Sequence, residues 1–420
     1  MKRFRASPRD FSRQDSKNSK GLTFRNTLRL ILTGLKCSYK KELSNFFNED
    51  LSLKADALPS SAAFCQARQK IRPDVFVDLN QGVVDDFYNN FSWKDWHGYR
   101  LSAVDGSTAH VFDSNENVEF FRGWVARNGD GEVCPKARLS LAYDPLNGII
   151  LNAQMSPTSI GEDTLAERHM AVSSCMDLNI FDRGYLSYRL MAEHDRLGLQ
   201  YCARVPVALF SRLVDDFMES KENDMVVDYT PTAPVAWKYE KDGGVAFPIK
   251  VRLIKVILDS GEVEVLASNV FDKRLSTTSF AELYHLRWGV EEEYKRLKCR
   301  DHLEDFSGTK IEMMMQDFHA AILRMNLSSL LSMEARISLK EQGKKDKHYH
   351  APNMSLALGH LQTILKIMRN NKGKGRLENA LSNLTANLLR ESIPIRPNRK
   401  FPRKRKPLRS GFSHAYKAAC

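Results

Sequence analysis

The hydrophobic pattern changes its period along the chain, and this change limits the possible folds more than any other feature. Residues 21–95 place apolar side chains at helical spacing, whereas residues 99–155 form strand-like runs. From residue 161 onward, helical and strand-like runs alternate before a long helical stretch over residues 309–392. This order of antiparallel strands, helix, strand and helix predicts an α/β fold with a mixed sheet, flanked by helical N- and C-terminal regions.

Composition and period divide the chain further. Residues 1–20 are basic and polar and predict a flexible arm, and the proline-rich basic stretch from Ile393 predicts a disordered tail. Three strand-like runs, VAWKYE, FPIKVRLIKVIL and EVEVLASNV, predict an all-β block inserted into the α/β domain. The predicted segments are the arm 1–20, the helical region 21–95, the two α/β parts 96–204 and 276–308, the β insertion 205–275, the helical region 309–392 and the tail 393–420.

The charge of the chain points to a polyanionic partner. The 420 residues carry a formal net charge of +12, which favours nucleic acid or an acidic membrane surface. No apolar run reaches the roughly 18 residues of a membrane span, and the basic N-terminus has no apolar signal core. We therefore expect a soluble intracellular protein without a membrane contact, which favours nucleic acid. The chain has no Walker A pattern and no Cys-x2-Cys pair, so we expect neither a nucleotide cofactor nor a zinc knuckle.

Two aspartates follow apolar strand-like runs. Asp105 follows YRLSAV and precedes Gly-Ser-Thr, and Asp182 follows LNIF and precedes Arg-Gly-Tyr. Ligand sites in α/β sheets gather at the carboxyl ends of strands. Each aspartate alone is weak evidence, because Asp-Gly-Ser is also ordinary turn chemistry.

Residues 278–300 predict a helix with an unusual polar stripe. At about 100° per residue, four polar side chains fall within about 60° of one another. They are Tyr284, Arg287, Glu291 and Lys298. This face mixes both charge signs with an aromatic ring, so it is not a hydrophobic seam. A solvated face with ion pairs is the plainer explanation.

The helix geometry also distinguishes three adjacent glutamates. Glu291 lies on the polar stripe, whereas Glu292 points about 100° away and Glu293 points to the opposite side. A carboxylate that joins Asp105 and Asp182 is therefore predicted to be Glu291.

A short helical run near the N-terminus carries two basic residues, Arg68 and Lys70. Short helices with basic residues are typical of helix-turn-helix DNA readers, for which both side chains are candidate DNA contacts. A plain helical bundle with solvated charges explains the pattern equally well.

The stripe matches the YREK signature, Tyr-x2-Arg-x3-Glu-x6-Lys, of DDE transposases in the insertion-sequence-four group, and the chain resembles this family. The aspartates in VDGST and FDRGY match the family's first and second acidic residues. The segments LEDFSG, QDF, SSAAFCQARQKI and RPNRKFPRKRK resemble further stretches of these enzymes. The resemblance therefore covers most of the chain.

The resemblance implies a ribonuclease-H-like catalytic domain that contains the β insertion. It also implies that Asp105, Asp182 and Glu291 hold two Mg²⁺ or Mn²⁺ ions, with Asp105 bridging both. In the same way, it implies that the remaining stripe residues grip the transposon-end strand: Tyr284, Arg287 and Lys298. Trp288 and Trp237 are candidates for stacking on an unpaired base, although core packing is the plainer reading for Trp288.

The implied function is cleavage of double-stranded DNA at transposon terminal inverted repeats, followed by strand transfer into target DNA. The implied partners are both DNAs and a second copy of the chain in a DNA-bound synaptic complex, at the nucleoid in a prokaryotic cytoplasm. Two alternatives stay open: an inactive or domesticated DNA-binding protein, and a metal-dependent nuclease that cuts without joining. The residues do not distinguish hairpin formation from simple cutting.

Overall fold

The computed structural model describes residues 21–50, 58–125, 133–206, 211–257, 261–342, 349–369 and 374–395. The α-helices in these ranges are α1 Phe24–Leu32, α2 Tyr39–Ser44, α3 Ser61–Gln69, α4 Asp74–Asn90, α5 Asn115–Phe121, α6 Glu162–Met170, α7 Tyr188–Leu197, α8 Ser211–Glu219, α9 Ala233–Lys241, α10 Thr277–Leu286, α11 Trp288–Cys299, α12 Ile311–Leu331, α13 Met333–Gln342, α14 Met354–Arg369 and α15 Lys374–Arg390. A π-helix, Asn45–Asp50, follows α2 directly. The strands are β1 Arg100–His110, β2 Gly123–Val125, β3 Val133–Asp144, β4 Ile149–Pro157, β5 Asp177–Phe181, β6 Gln200–Arg204, β7 Asp224–Tyr229, β8 Ile249–Ile257, β9 Val263–Ser268, β10 Tyr349–Ala351 and β11 Ile393–Ile395. The predicted arm of residues 1–20 and the tail beyond residue 395 lie outside the described residues.

The chain divides into two compact units. The first, which we call the helical unit, comprises residues 1–83, 110–136 and 296–420. The second, the sheet unit, comprises residues 84–109 and 137–295.

A mixed sheet organises the sheet unit, with the strand order β4-β3-β1-β5-β6-β9-β8-β7. β1, β5 and β6 run parallel, whereas β3 and β4 form an antiparallel hairpin. The first five of these strands in the chain therefore lie in the order third, second, first, fourth, fifth, as expected of a ribonuclease-H-like sheet. The predicted α/β fold class with a mixed sheet is confirmed.

The β3–β4 hairpin closes at the turn that the sequence predicts. Gly148 has a φ of +73°, a conformation that glycine adopts at little cost. The buried Asp144 carboxylate accepts hydrogen bonds from the Leu146 amide at 2.9 Å and from the Tyr88 hydroxyl at 2.6 Å. These bonds fix the turn, which contacts the start of α11.

The insertion is not all-β, so this part of the prediction is wrong. The run VAWKYE lies in α9, and α8 is a second helix in the same segment. Pro234 stands in the first turn of α9, where its fixed φ suits a helix and its missing N–H costs nothing. The other two predicted runs do form strands, β8 and β9. They extend the central sheet, because β9 pairs antiparallel with β6.

The sheet is buried on both faces where its parallel strands meet. All five residues of β5 are buried, as expected of a central parallel strand. Successive residues point to opposite faces, so Ile180 belongs to one apolar cluster and Phe181 to another. The buried strand β5 therefore fixes the position of the residues that follow it in the chain, which begin with Asp182.

The helical unit contains most of the helices that were predicted before and after the sheet segments along the chain. Ser60 caps α3 by accepting from the Ala63 amide at 3.1 Å, as the Pro-Ser-Ser pattern predicts. Residues 309–392 are largely helical, over α12 to α15, as predicted. One detail differs. Ile393–Ile395 pairs antiparallel with Tyr349–Ala351, so the first three residues of the predicted tail form a strand.

Candidate active site

Asp105 and Asp182 come from neighbouring parallel strands. The register of β1 and β5 ends with Val104 opposite Phe181, and each aspartate is the next residue along its own chain segment. Adjacent strands lie about 4.8 Å apart. This register therefore brings the two carboxylates to the same region of the sheet. Val104 and Phe181 are fully buried, so the carboxylates begin where the apolar interior ends.

The two aspartates differ in their local setting, and the prediction that both lie at strand ends is wrong for Asp105. β1 continues to His110, and only its first half pairs with β5. Asp182 does follow the end of its strand. It lies in a turn in which the Tyr185 amide donates to the Asp182 carbonyl at 3.1 Å.

The predicted single helix over residues 278–300 consists of α10 and α11, which meet at Arg287. The Arg287 amide donates to the Tyr284 carbonyl at 3.1 Å, and the Val290 amide donates to the Arg287 carbonyl at 3.2 Å. Hydrogen bonds across three residues tighten the turn as in a 3₁₀-helix. The polar stripe therefore does not lie on one straight helix.

Arg287 lies among the three candidate carboxylates. Its Nη2 donates to Glu291 Oε1 at 3.1 Å, and its guanidinium also interacts electrostatically with Asp105 and Asp182. The residue is only 5% exposed. Burial disfavours its charge, but Tyr284 and the acidic neighbours outweigh burial and raise the pKa of Arg287. The Nε of Arg287 has no hydrogen-bond partner among the described residues, which leaves one donor for a ligand.

The two aspartates titrate differently because their partners differ. Burial is the main cause that raises the pKa of Asp105 to about 6, although the Gly106 amide and Arg287 oppose it. Burial also acts on Asp182, but the Arg183 amide and Arg287 outweigh it and lower the pKa of Asp182. The Tyr284 hydroxyl adds to this lowering by donating to Asp182 Oδ1 at 3.0 Å.

The three adjacent glutamates occupy different environments, in the directions that helix geometry predicts. Glu291 faces Arg287 with its side chain 26% exposed. Glu292 is largely exposed and forms an ion pair with Lys295, whereas Glu293 is buried. Of the three, Glu291 is the one bonded to Arg287, which interacts with both aspartates.

The remaining predicted DNA contacts, two on α11 and one on α9, lie in different environments. Trp288 is 49% exposed, so it is not a core residue, and its ring lies 5.2 Å from the Arg287 guanidinium carbon. Lys298 belongs to the helical unit, where its Nζ lies 3.8 Å from Glu304 Oε1. Trp237 on α9 is 63% exposed, with the Lys241 ammonium 5.2 Å from its ring centre.

The prediction that Arg68 contacts DNA is wrong. Its side chain is fully buried, donates to Gln316 Oε1 at 2.6 Å and forms an ion pair with Asp317 at 2.6 Å. A guanidinium enclosed in this way cannot reach a phosphate, so its role is structural. Lys70 is exposed and stays a predicted contact.

Sequence reasoning missed several residues beside the carboxylates. The Tyr294 hydroxyl donates to the Asp105 carbonyl at 2.9 Å, and Tyr294 follows Glu291 by one helical turn, a spacing that could have revealed it. A Cβ added to Gly289 would lie 2.8 Å from Pro145 Cβ. Gly289 therefore lets α11 approach the β3–β4 turn, and no pattern in the sequence predicts that approach.

A comparison with known protein families now assigns the chain. The transposase DDE domain matches residues 96–327, which is more than half of the chain. The chain belongs to this DDE transposase family. It is therefore a transposase, a DNA-cleaving and strand-transferring enzyme, and enzymes of the family generally use divalent metal ions.

Individual relatives agree with the family. The transposase InsG of insertion sequence element IS4 from Escherichia coli strain K12 is 22% identical over 379 residues, which cover 89% of this chain and 83% of InsG. The putative transposase InsZ of the same strain is 27% identical over 154 residues, covering 35% of this chain and 52% of InsZ. The predicted membership of the insertion-sequence-four type is thus confirmed.

Among solved structures, the piggyBac transposase synaptic complex with hairpin DNA is similar over 88% of this chain and 76% of that chain, with 12% identity and a TM-score of 0.44. Within the described ranges, none of the helices is both long enough and apolar enough to cross a membrane.

Proposed function

We propose that Asp105, Asp182 and Glu291 are the catalytic residues with which this transposase cuts double-stranded DNA at the terminal inverted repeats of its element and joins the freed ends to target DNA. One observation carries the proposal. Three carboxylates, one on β1, one in the turn after β5 and one on α11, all interact with the buried cation Arg287. A structural ion pair needs one carboxylate for one guanidinium. Three carboxylates around one cation are an excess of negative charge, which suits a site that binds further cations.

We infer that the three carboxylates hold two Mg²⁺ or Mn²⁺ ions, because these ions prefer oxygen ligands. The Asp105 carboxyl, with its pKa raised to about 6, is a group that an added cation would stabilise in its charged form. Within the described residues, no three His, Cys, Asp or Glu side chains are close enough to enclose one ion, and Arg287 is the cation that accompanies these acids. When bound, the ions would activate the attacking oxygen and stabilise the leaving one.

The side chains around the carboxylates would bind and orient the DNA. Arg287 keeps one buried donor, its Nε, available for a phosphate oxygen. The Tyr284 hydroxyl holds Asp182 and would lie next to the same phosphate. Trp288, half exposed beside Arg287, offers a ring on which an unpaired base could stack. Lys298 would contact the same strand.

We further propose that two copies of the chain act together on paired DNA ends. The reaction cuts both ends of one element and joins each of them to target DNA, and a symmetric pair of active sites would process both ends. Lys70, the N-terminal arm and the basic tail would add phosphate contacts, which a net charge of +12 favours. Since the substrate is chromosomal DNA, the proposed place of action is the nucleoid of a prokaryotic cell.

The test compares adjacent glutamates on one helix. Glu291→Gln, like Asp105→Asn and Asp182→Asn, should abolish Mg²⁺-dependent cutting of a duplex that carries the element's terminal repeat, while the affinity for that duplex stays within a few-fold. Glu292→Gln is the matched control and should cut as the wild type does, because Glu292 bonds Lys295 at the surface. Full activity of Glu291→Gln would contradict the assignment.

Two further measurements separate the alternatives. A metal-dependent nuclease would cut the duplex but would not join pre-cut ends to a plasmid. A domesticated DNA-binding protein would bind the duplex without cutting it. The proposed function requires both cutting and joining by the wild type.

A further inference from the structure

A second group of polar side chains lies beside Asp105, on the side of Gly106, and the catalytic proposal leaves it unused. A Cβ added to Gly106 would lie 2.9 Å from Glu162 Oε1 and 3.2 Å from the Tyr185 hydroxyl oxygen. The space above Gly106 is therefore bordered by these two oxygens. Arg138 on β3 also belongs to the group, with its Nη1 3.7 Å from Glu162 Oε1.

Two members of this group are donors that lack an acceptor. Tyr185 is 4% exposed, and its hydroxyl has no hydrogen-bond partner in the part of the chain that the structure describes. The same holds for the buried Nε of Arg138. Native proteins rarely leave buried donors unpaired, because desolvation without a new hydrogen bond is costly. Two such donors at the edge of an active site suggest that a ligand supplies the acceptor.

Glu162 does not satisfy these donors. Its side chain is 49% exposed, and its contact with Arg138 is long for an ion pair, so this contact contributes little. Glu162 opens α6, where a negative charge is favourable, and its exposed side chain can turn toward solvent. Glu162 therefore lies near the donors without bonding to the Tyr185 hydroxyl or to Arg138 Nε.

We propose that Tyr185 and Arg138 form a phosphate-binding subsite beside Asp105, which binds a nonbridging oxygen of a DNA phosphate, and that Glu162 covers this subsite in the absence of DNA. The inference rests on the proposed function, because it places DNA next to Asp105. A neutral hydroxyl and a guanidinium suit a phosphate oxygen. Tyr284 and Arg287 contact Asp182 and Glu291 instead, so this subsite would bind a second phosphate. That phosphate belongs to the element's end or to target DNA.

The decisive variant is Tyr185→Phe, which removes only the hydroxyl. Affinity for a labelled duplex carrying the terminal repeat, measured in EDTA without divalent metal, should fall about 10-fold. The thermal unfolding midpoint should stay equal or rise, because the hydroxyl makes no hydrogen bond to the described residues of the free protein. Tyr201→Phe is the matched control. Tyr201 also has a buried hydroxyl without a partner among the described residues, yet it lies in an apolar cluster on β6, so DNA affinity should not change.

Glu162→Gln should change the DNA affinity in the direction opposite to that of Tyr185→Phe. Removing the charge that competes for Arg138 should strengthen DNA binding about two- to fivefold, whereas Arg138→Gln should weaken it. A purely structural Glu162–Arg138 pair would predict weaker or unchanged binding for Glu162→Gln. That result, with unchanged affinity and unchanged joining in Tyr185→Phe, would overturn the proposal.

Joining of pre-cut ends to a plasmid identifies the source of the phosphate. Weaker binding of the end duplex by Tyr185→Phe assigns the subsite to the element's end. Reduced joining with normal end binding assigns it to target DNA, and both outcomes support the subsite. If the wild type binds the duplex but does not cut it, the proposed function is wrong, while the affinities of Tyr185→Phe and Tyr201→Phe still decide the subsite.

Discussion

Arg287 donates from Nη2 to Glu291 Oε1 over 3.1 Å, one helical turn away. The same guanidinium interacts with Asp105 and Asp182, so three carboxylates share one buried cation. Its loss would leave the mutual repulsion of these acids without an opposing charge.

We expect Arg287→Gln to abolish cutting and to lower the free energy of unfolding by about 1–3 kcal/mol. Mg²⁺ would then supply the missing positive charge. Added Mg²⁺ should therefore raise the melting temperature of Arg287→Gln more than that of the wild type, as measured by differential scanning fluorimetry. Equal shifts in both proteins would show that the ions do not bind next to Arg287.

A second prediction concerns Gly289, two residues before Glu291. A Cβ at this position would meet the rigid Pro145 ring at 2.8 Å, so α11 would have to move away from the β3–β4 turn. We expect Gly289→Ala to cost about 1–3 kcal/mol of stability and to reduce cutting about 10- to 100-fold by displacing Glu291. Gly82→Ala is the control: nothing described lies within 4 Å of its Cβ position in α4, so it should stabilise by about 1 kcal/mol.

The choice of Glu291 over its neighbours could be predicted from the sequence because it depends only on the local geometry of a helix. The 3₁₀ turn at Arg287 could not be predicted from the sequence. It occurs where α11 approaches the β3–β4 turn, which is a contact between segments far apart in the chain. Periodicity carries no information about such a contact.

For the two aspartates as well, the sequence predicted the local structure but not the tertiary arrangement. The apolar runs before Asp105 and Asp182 predicted two strands, and both exist. The parallel register that aligns the two residues is a tertiary property, so only the resemblance to a family linked them beforehand. β1 continues past Asp105 although the sequence there resembles a turn, which shows that sheet pairing can override turn propensity.

Arg68 illustrates the converse error. A basic residue on a short helix predicted a DNA contact, but tertiary packing encloses its guanidinium between Gln316 and Asp317. The motif QDF was noted in the sequence only as a family resemblance, but it has a physical role. Gln316 accepts a hydrogen bond from Arg68, and Asp317 forms an ion pair with it.

This network gives the third prediction. Arg68→Met retains the side-chain volume but leaves the Asp317 carboxylate, only 15% exposed, without its cation. We expect a loss of about 3–5 kcal/mol of stability, measured by urea unfolding. The matched variant Lys70→Met removes an exposed charge two residues away and should leave stability within about 0.5 kcal/mol. If Lys70 contacts a phosphate, the same variant should weaken DNA binding and reduce its salt dependence.

The last prediction concerns acid stability and two buried histidines of the sheet unit. Burial lowers the pKa of His169 to about 3 and that of His194 to about 4. The His194 Nδ1 donates to the Leu190 carbonyl at 2.7 Å, and its Nε2 accepts from Asn179 at 3.3 Å. Protonation of Nε2 would remove that acceptor.

An unfolded histidine has a pKa near 6.5, so below about pH 6.5 the unfolded chain binds protons that the folded protein does not. The free energy of unfolding should therefore fall as the pH falls from about 6.5 to 4, by up to about 1.4 kcal/mol per pH unit for each histidine. Above about pH 7 the two histidines add no pH dependence. His194→Gln retains a side chain that can donate and accept, and it removes one titrating group. Urea unfolding at several pH values should show a shallower slope for this variant than for the wild type, and an identical slope would mean that His194 accepts its proton in the folded state.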